Sequence, residues 1–208
     1  MKKLIKVCGM RDADNIRDLI ELKPDMIGLI FHPGSPRFVS NPDELAGVLD
    51  IERKFKLVGV FVDEDISLIR SLHKSLNFGY IQLHGNESPE YCGELKSRGF
   101  KVIKAIGISD VGDLKKVSPY SGIADIYIFD TKTSQHGGSG SKFDWSIIDQ
   151  YYGAAPFLLS GGIGPEDNPA IDHPAFAGVD LNSRFETSPG IKDIGLLSYY
   201  FKKLRNDK

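Results

Sequence analysis

Eight short apolar segments recur roughly every 26 residues and alternate with stretches of helical period, which predicts an α/β fold, a single (β/α)8 barrel. A second observation supports it: most segments end in a polar or glycine-rich cluster. These read Cys8-Gly9, Ser35-Pro36-Arg37, Phe61-Val62-Asp63, Gln82-Leu83-His84-Gly85, Ala105-Ile106-Gly107, Asp130-Thr131, Ser160-Gly161-Gly162 and Asp180-Leu181-Asn182-Ser183. Chemistry gathered at one end of every strand is how such a barrel builds a site. The third observation is length: 208 residues suit one domain over residues 1–208, at the short end for this architecture, with brief loops.

The strands are expected at Leu4–Cys8, Met26–Phe31, Leu57–Val62, Tyr80–His84, Lys101–Ile106, Ile126–Asp130, Phe157–Ser160 and Gly178–Leu181. All are short and rich in Val, Ile or Phe, as buried parallel strands are. Asp12–Leu22 places Ile16, Leu19 and Ile20 at helical spacing, with Asp12 as N-cap. Asn41-Pro42-Asp43-Glu44 opens the next helix, with proline at its first position. Asp63–Leu76 carries Ile66, Ile69, Leu72 and Leu76 on one face, and Asp63 reads as its cap. Ser88-Pro89-Glu90-Tyr91 repeats the start signal of Asn41. Ser109–Val117 is a weaker, shorter helix pattern, and Trp145–Tyr151, Pro165–Ile171 and Asp193–Leu204 complete the series. The polar, Gly/Ser-rich segment Lys132–Lys142 follows the sixth strand, where either a lid or a plain flexible loop fits.

A net charge of −2 and 41% hydrophobic residues describe an ordinary soluble protein, and no basic run suggests nucleic acid. No stretch approaches the roughly 18 apolar residues of a membrane span. No signal peptide is expected, because Lys6 interrupts the first apolar run, so a cytoplasmic location follows. Cys8 and Cys92 read as free thiols, and without a CxxC pair or a His/Cys cluster no metal site is expected.

Strand alternation assigns the faces. Lys6 and Cys8 share one, as do Tyr80, Gln82 and His84, and as do Asp180 and Asn182. Apolar neighbours face the helices, so these polar sets face the barrel interior, where each must find a partner. Strands one and eight adjoin, so Lys6 is expected to pair with Asp180. Cys8 is either a small core residue or a thiol poised for proton abstraction. Lys6, two residues back on the same face, would then favour the thiolate. Asp130 is a cap or turn residue, or a general acid at the barrel mouth opposite Cys8. Gly161 and Gly162 after strand seven, with Asn182 and Ser183 after strand eight, form a phosphate cradle or a tight turn. Arg37 is a surface residue or a fork for a substrate carboxylate. His84 orients substrate or satisfies a barrel hydrogen bond. The Gly107 cluster has no assigned role.

Taken in order, several segments resemble the phosphoribosylanthranilate isomerase family of tryptophan biosynthesis. They are Lys6-Val7-Cys8-Gly9-Met10, Gly28-Leu29-Ile30-Phe31, Ser35-Pro36-Arg37-Phe38-Val39-Ser40, Val58-Gly59-Val60-Phe61-Val62 and Gln82-Leu83-His84-Gly85-Asn86-Glu87-Ser88. Asp130-Thr131, Gly137-Gly138-Ser139-Gly140, Phe143-Asp144-Trp145, Ser160-Gly161-Gly162-Ile163, Gly178-Val179-Asp180, Glu186 and Pro189-Gly190-Ile191-Lys192-Asp193 continue the likeness over nearly the whole chain. The resemblance implies a cofactor-free Amadori rearrangement of N-(5-phosphoribosyl)anthranilate to 1-(2-carboxyphenylamino)-1-deoxyribulose 5-phosphate. It makes Cys8 the general base and Asp130 the general acid. Arg37 would hold the anthranilate carboxylate, and Gly161, Gly162, Asn182 and Ser183 the phosphate. His84 and Asp180 are counted with the substrate-binding residues. The partner is thus a small phosphorylated molecule, with the chain a monomer or homodimer. After strand eight the family commonly has Ser-Ser-Gly where this chain has Asn182-Ser183-Arg184, which leaves Arg184 as an added charge at the phosphate. The alternatives are a sister sugar-phosphate isomerase or a non-catalytic phospho-ligand-binding barrel.

Overall fold

Alternating apolar positions give every strand two buried faces, and the chain uses both by closing the sheet on itself. The computed structural model describes residues 3–49, 54–132 and 142–206. Its strands are β1 (Leu4–Cys8), β2 (Met26–Ile30), β3 (Lys56–Phe61), β4 (Tyr80–Leu83), β5 (Val102–Ile108), β6 (Ile126–Thr131), β7 (Phe157–Leu159) and β8 (Phe176–Leu181). They form a closed parallel barrel in chain order. β8 pairs with β1 in the register Lys6 to Asp180.

The α-helices are α1 (Ala13–Glu21), α2 (Asp43–Leu49), α3 (Ile66–Leu76), α4 (Pro89–Ser97) and α5 (Ile194–Asn206). Two cores result. Ile5, Val7, Ile27, Leu29, Phe61 and Leu83 face outward and pack with helix residues such as Ile16, Leu19, Ile69 and Leu95. Cys8, Met26, Val58, Val60, Ile103, Ala105, Ile126, Ile128 and Leu158 fill the interior. Among the described residues no helix is long and apolar enough to cross a membrane.

Local signals placed the helix starts well where a side chain caps directly. Asp12 accepts the Asn15 N–H at 2.8 Å, and Ser88 accepts the Tyr91 N–H at 3.3 Å with Pro89 opening α4. α2 begins at Asp43, one residue after Pro42. Three expectations need correction. Asp65, not Asp63, caps α3; Asp63 has φ +49° and its carboxylate accepts the Asn86 N–H, tying the β3 loop to the β4 loop. No helix forms over 165–171: Asp167 turns the chain by accepting the Gly164 N–H, and Pro169, which has no N–H to donate, interrupts helical continuation. The patterns at 109–117 and 145–151 become 3-10 helices, Val111–Tyr120 and Trp145–Gln150. A hairpin of β9 (Glu186–Ser188) and β10 (Ile191–Lys192) was not expected at all. The possible lid, Lys132–Lys142, lies outside the described residues except for its two ends.

Asp113 staples the Val111–Tyr120 helix to the end of β5. Its carboxylate accepts the Ser109 N–H and hydroxyl at 2.9 and 2.8 Å and lies 2.7 Å from Lys116. Burial opposes its charge, but Lys116, Ser109 and Lys132 outweigh that and hold the carboxyl well below the usual carboxylate range. A depressed folded value means stability that is present at neutral pH and fades as pH falls below about 4 toward the folded value. Asp113→Asn should therefore melt lower than the parent at pH 7, with the gap narrowing in acid. A gap in Tm that stays constant down to acid unfolding would refute this.

Candidate active site

The strand-end parity read from the sequence puts Lys6, Cys8 and Asp180 together at the interior of the barrel. Lys6 is fully buried, and its Nζ donates to both carboxylate oxygens of Asp180 at 2.9 Å. Burial works against the lysine charge, yet Asp180 and Cys8 outweigh it and hold the ammonium above its ordinary value. The Lys6 charge also acts on Cys8, favouring its thiolate.

The expectation that Lys6 would depress the Cys8 thiol is not met. Burial pushes the thiol up, and the opposing pull of Lys6 is weakened by the adjacent Asp180 carboxylate. Cys8 Sγ lies against Gly28, where a Cβ would sit only 2.8 Å from the sulfur. Space beside the thiol thus depends on that glycine.

Asp130 is the penultimate residue of β6, paired in the ladder with Gly107 of β5. Its Oδ1 accepts the Thr131 N–H at 2.8 Å, and its Oδ2 lies 3.3 Å from His84 Nε2. His84 Nδ1 in turn lies 3.0 Å from Gln82 Nε2. Asp180 sits in the field of both Asp130 and His84. His84 therefore does satisfy a barrel hydrogen bond, with Gln82, and stands at ion-pair distance from Asp130.

Arg37 is buried rather than superficial. Its Nε and Nη2 fork onto Glu186, with distances of 2.7 to 3.1 Å. That leaves Nη1 without a hydrogen bond among the described residues. Lys192 joins from β10, 2.5 Å from Glu186 and 2.8 Å from Asn182 Oδ1. Burial would raise the Glu186 carboxyl, but Arg37 and Lys192 hold it below the usual range. Sequence reading gave Glu186 and Lys192 no role. The signal available was the Pro189-Gly190 turn between two opposite charges, which the hairpin places across from each other.

The β7 loop packs against the end of β6 and, at Gly164, lies beside Arg184 of the β8 loop. Gly161 has φ +87°, and a Cβ there would stand 2.2 Å from Thr131 Oγ1 and 2.9 Å from Asp130 Oδ1. The Asp130 carboxylate and the Gly161-Gly162 turn therefore touch, and only glycine allows it. Asn182 is drawn toward Lys192, while Ser183 opens a short 3-10 turn. Arg184 is exposed and reaches over Gly164 toward Asp167, adding a cation beside the same loop.

Residues 5–203 match the family model described as N-(5'phosphoribosyl)anthranilate (PRA) isomerase. The chain belongs to that family. It is 46% identical over 205 residues to the N-(5'-phosphoribosyl)anthranilate isomerase of Parabacteroides distasonis, covering 97% of this chain and 93% of that protein. Its fold superposes on phosphoribosyl anthranilate isomerase from Thermotoga maritima with a TM-score of 0.85 at 32% identity, covering 97% of this chain and 98% of that one. A related phosphoribosyl anthranilate isomerase, solved with reduced 1-(o-carboxyphenylamino)-1-deoxyribulose 5-phosphate, gives a TM-score of 0.82 at 29% identity over 97% of this chain and 98% of its own.

Proposed function

We propose that the chain isomerises N-(5-phosphoribosyl)anthranilate to 1-(2-carboxyphenylamino)-1-deoxyribulose 5-phosphate, with Asp130 as general acid and Cys8 as general base. The observation that carries this reading is the placement of a buried thiol and a half-sheltered carboxylate at the same mouth of one barrel, in a chain of this family.

Asp130 Oδ2 gives a proton to the furanose ring oxygen. The C1–O bond breaks as the anthranilate nitrogen lone pair forms a C=N bond, giving an open Schiff base. Cys8 as thiolate takes the proton from C2, and the C–H electrons form C1=C2 while the C=N pair returns to nitrogen. The resulting enolamine tautomerises to the ketone by moving a proton from the enol oxygen to C1. C2 is oxidised as C1 is reduced, with no net redox change, so these steps call on no cofactor. The Lys6 ammonium beside Cys8 favours the thiolate in a site where burial disfavours it.

The free Nη1 edge of Arg37 receives the anthranilate carboxylate, while Glu186 holds the other edge of the guanidinium. The Gly161-Gly162 turn, Ser183 and Arg184 take the phosphate. Glu186→Gln weakens the clamp without touching the reacting atoms. It should raise KM about tenfold with kcat little changed, the pattern for binding shared by ground and transition states. A fall in kcat at unchanged KM would contradict that role.

The direct test is to generate phosphoribosylanthranilate in situ and follow loss of its fluorescence on adding the protein. Rapid loss is expected. No loss would favour a sister isomerase or a phospho-ligand-binding barrel.

A further inference from the structure

Each turnover leaves Asp130 one proton short, because the proton it gave to the ring oxygen stays in the product, and leaves Cys8 with the C2 proton, which the thiol releases to solvent. Something must reload Asp130. Asp130 has a single side-chain neighbour able to store a proton at hydrogen-bond range among the described residues, His84, whose Nε2 is 3.3 Å from Oδ2. The imidazole is 20% exposed against 14% for the carboxylate, so it reaches solvent more readily. The far side of the ring is equally constrained. Gln82, buried in the barrel interior, presents Nε2 to Nδ1 at 3.0 Å. An amide nitrogen only donates, so with Gln82 Nε2 facing Nδ1 the neutral ring carries its proton on Nε2, the ring nitrogen nearer Asp130. Gln82 Oε1 is buried with no partner among the described residues. A half-turn of the amide brings that oxygen onto Nδ1, where it can accept a hydrogen bond from Nδ1–H. In that orientation Gln82 Oε1 serves the imidazolium and the Nδ1-protonated neutral ring alike.

From these contacts we propose that His84 is a positioning residue that stores and returns the proton of Asp130, with the turned Gln82 amide holding Nδ1–H throughout. This rests on the assignment of Asp130 as general acid. In the loaded state the imidazolium donates from Nε2 to Oδ2 and from Nδ1 to Gln82 Oε1. The Nε2–H bond breaks and an Oδ2–H bond forms, leaving a neutral ring with its proton on Nδ1. Asp130 then delivers that proton to the substrate, and solvent returns one to Nε2.

The test uses the fluorescence assay on purified full-length variants. His84→Ala should lower kcat about tenfold, a share of what general acid catalysis contributes. Added imidazole should restore part of that loss. His84→Gln keeps an amide donor near Asp130 but stores no proton, so it should be as slow as His84→Ala and gain nothing from imidazole. Asp130→Asn should be slower than either, and adding His84→Ala to it should cost nothing more, since both act through one proton. Full activity in His84→Gln would overturn the proposal, because orientation alone would then suffice. So would an undiminished His84→Ala effect in the Asp130→Asn background. If instead Asp130→Asn itself is fully active, the acid assignment fails, and the proposal fails with it.

Discussion

Cys8→Ala is expected to lower turnover at least about a hundredfold, the usual scale for losing a general base. The thiol is the one group on the inner face of β1 that can take a proton from carbon, since Lys6 is committed to Asp180 through both carboxylate oxygens. Alanine leaves the barrel closed, because Cys8 lies in the small interior cluster and loses only its sulfur. KM should change little, as Arg37 and the β7–β8 loops are untouched. The pH dependence carries the sign. A base works only when deprotonated, and burial pushes the Cys8 thiol up. The rising limb of kcat/KM should therefore lie above the range of an exposed thiol, about 8.5, and extend into alkaline pH. Cys8→Ser should not restore the rate, since a hydroxyl is far harder to ionise. Near-normal turnover in Cys8→Ala would remove the base assignment.

What the sequence disclosed was whatever depends on neighbours along the chain or on strand parity. Period-two alternation in Lys6–Cys8 and in Asp180–Asn182, joined to the adjacency of the first and last strands, was enough to pair Lys6 with Asp180. Capping chemistry placed the starts of α1 and α4, because the Asp12 and Ser88 side chains bond backbone groups three residues away. Asp63 misled for the same reason: its bond runs to the β4 loop, a non-local contact no window reveals. The 165–171 segment has helical spacing but contains Pro169, and backbone geometry outweighed the pattern. The site was legible residue by residue and not as a network. Cys8, Asp130 and Arg37 stand out at strand ends, yet the His84–Asp130 contact crosses from β4 to β6 over the intervening β5. The Glu186 clamp on Arg37 depends on a hairpin folding back across the mouth, so neither could be found by spacing. Nor could the direction of the Cys8 shift, which follows from the balance between burial and a cation already engaged by Asp180.

Asp180→Ala is expected to destabilise the fold by about 3–5 kcal/mol, the cost of leaving a buried charge without its partner. For a chain of this size that lowers Tm by roughly 10 °C. Lys6 has no other carboxylate within ion-pair distance among the described residues, and it is fully enclosed by the barrel. The loss should exceed that of any exposed pair, such as Arg98 with Glu94, which is worth about 1 kcal/mol or less. Replacing both charges together, Lys6→Met with Asp180→Leu, separates stability from chemistry. Removing the two desolvated ions at once should recover most of the melting temperature, since an apolar pair of similar volume is often as stable as a buried ion pair. Activity should not recover, because Cys8 then has no cation beside it to favour the thiolate in a site where burial opposes the anion. A double variant that regains both would mean the pair serves only packing. One that regains neither would mean the barrel needs these charges to close in the observed register. Recovery of Tm without turnover is the outcome that ties Lys6 to the reactivity of Cys8 rather than to the fold.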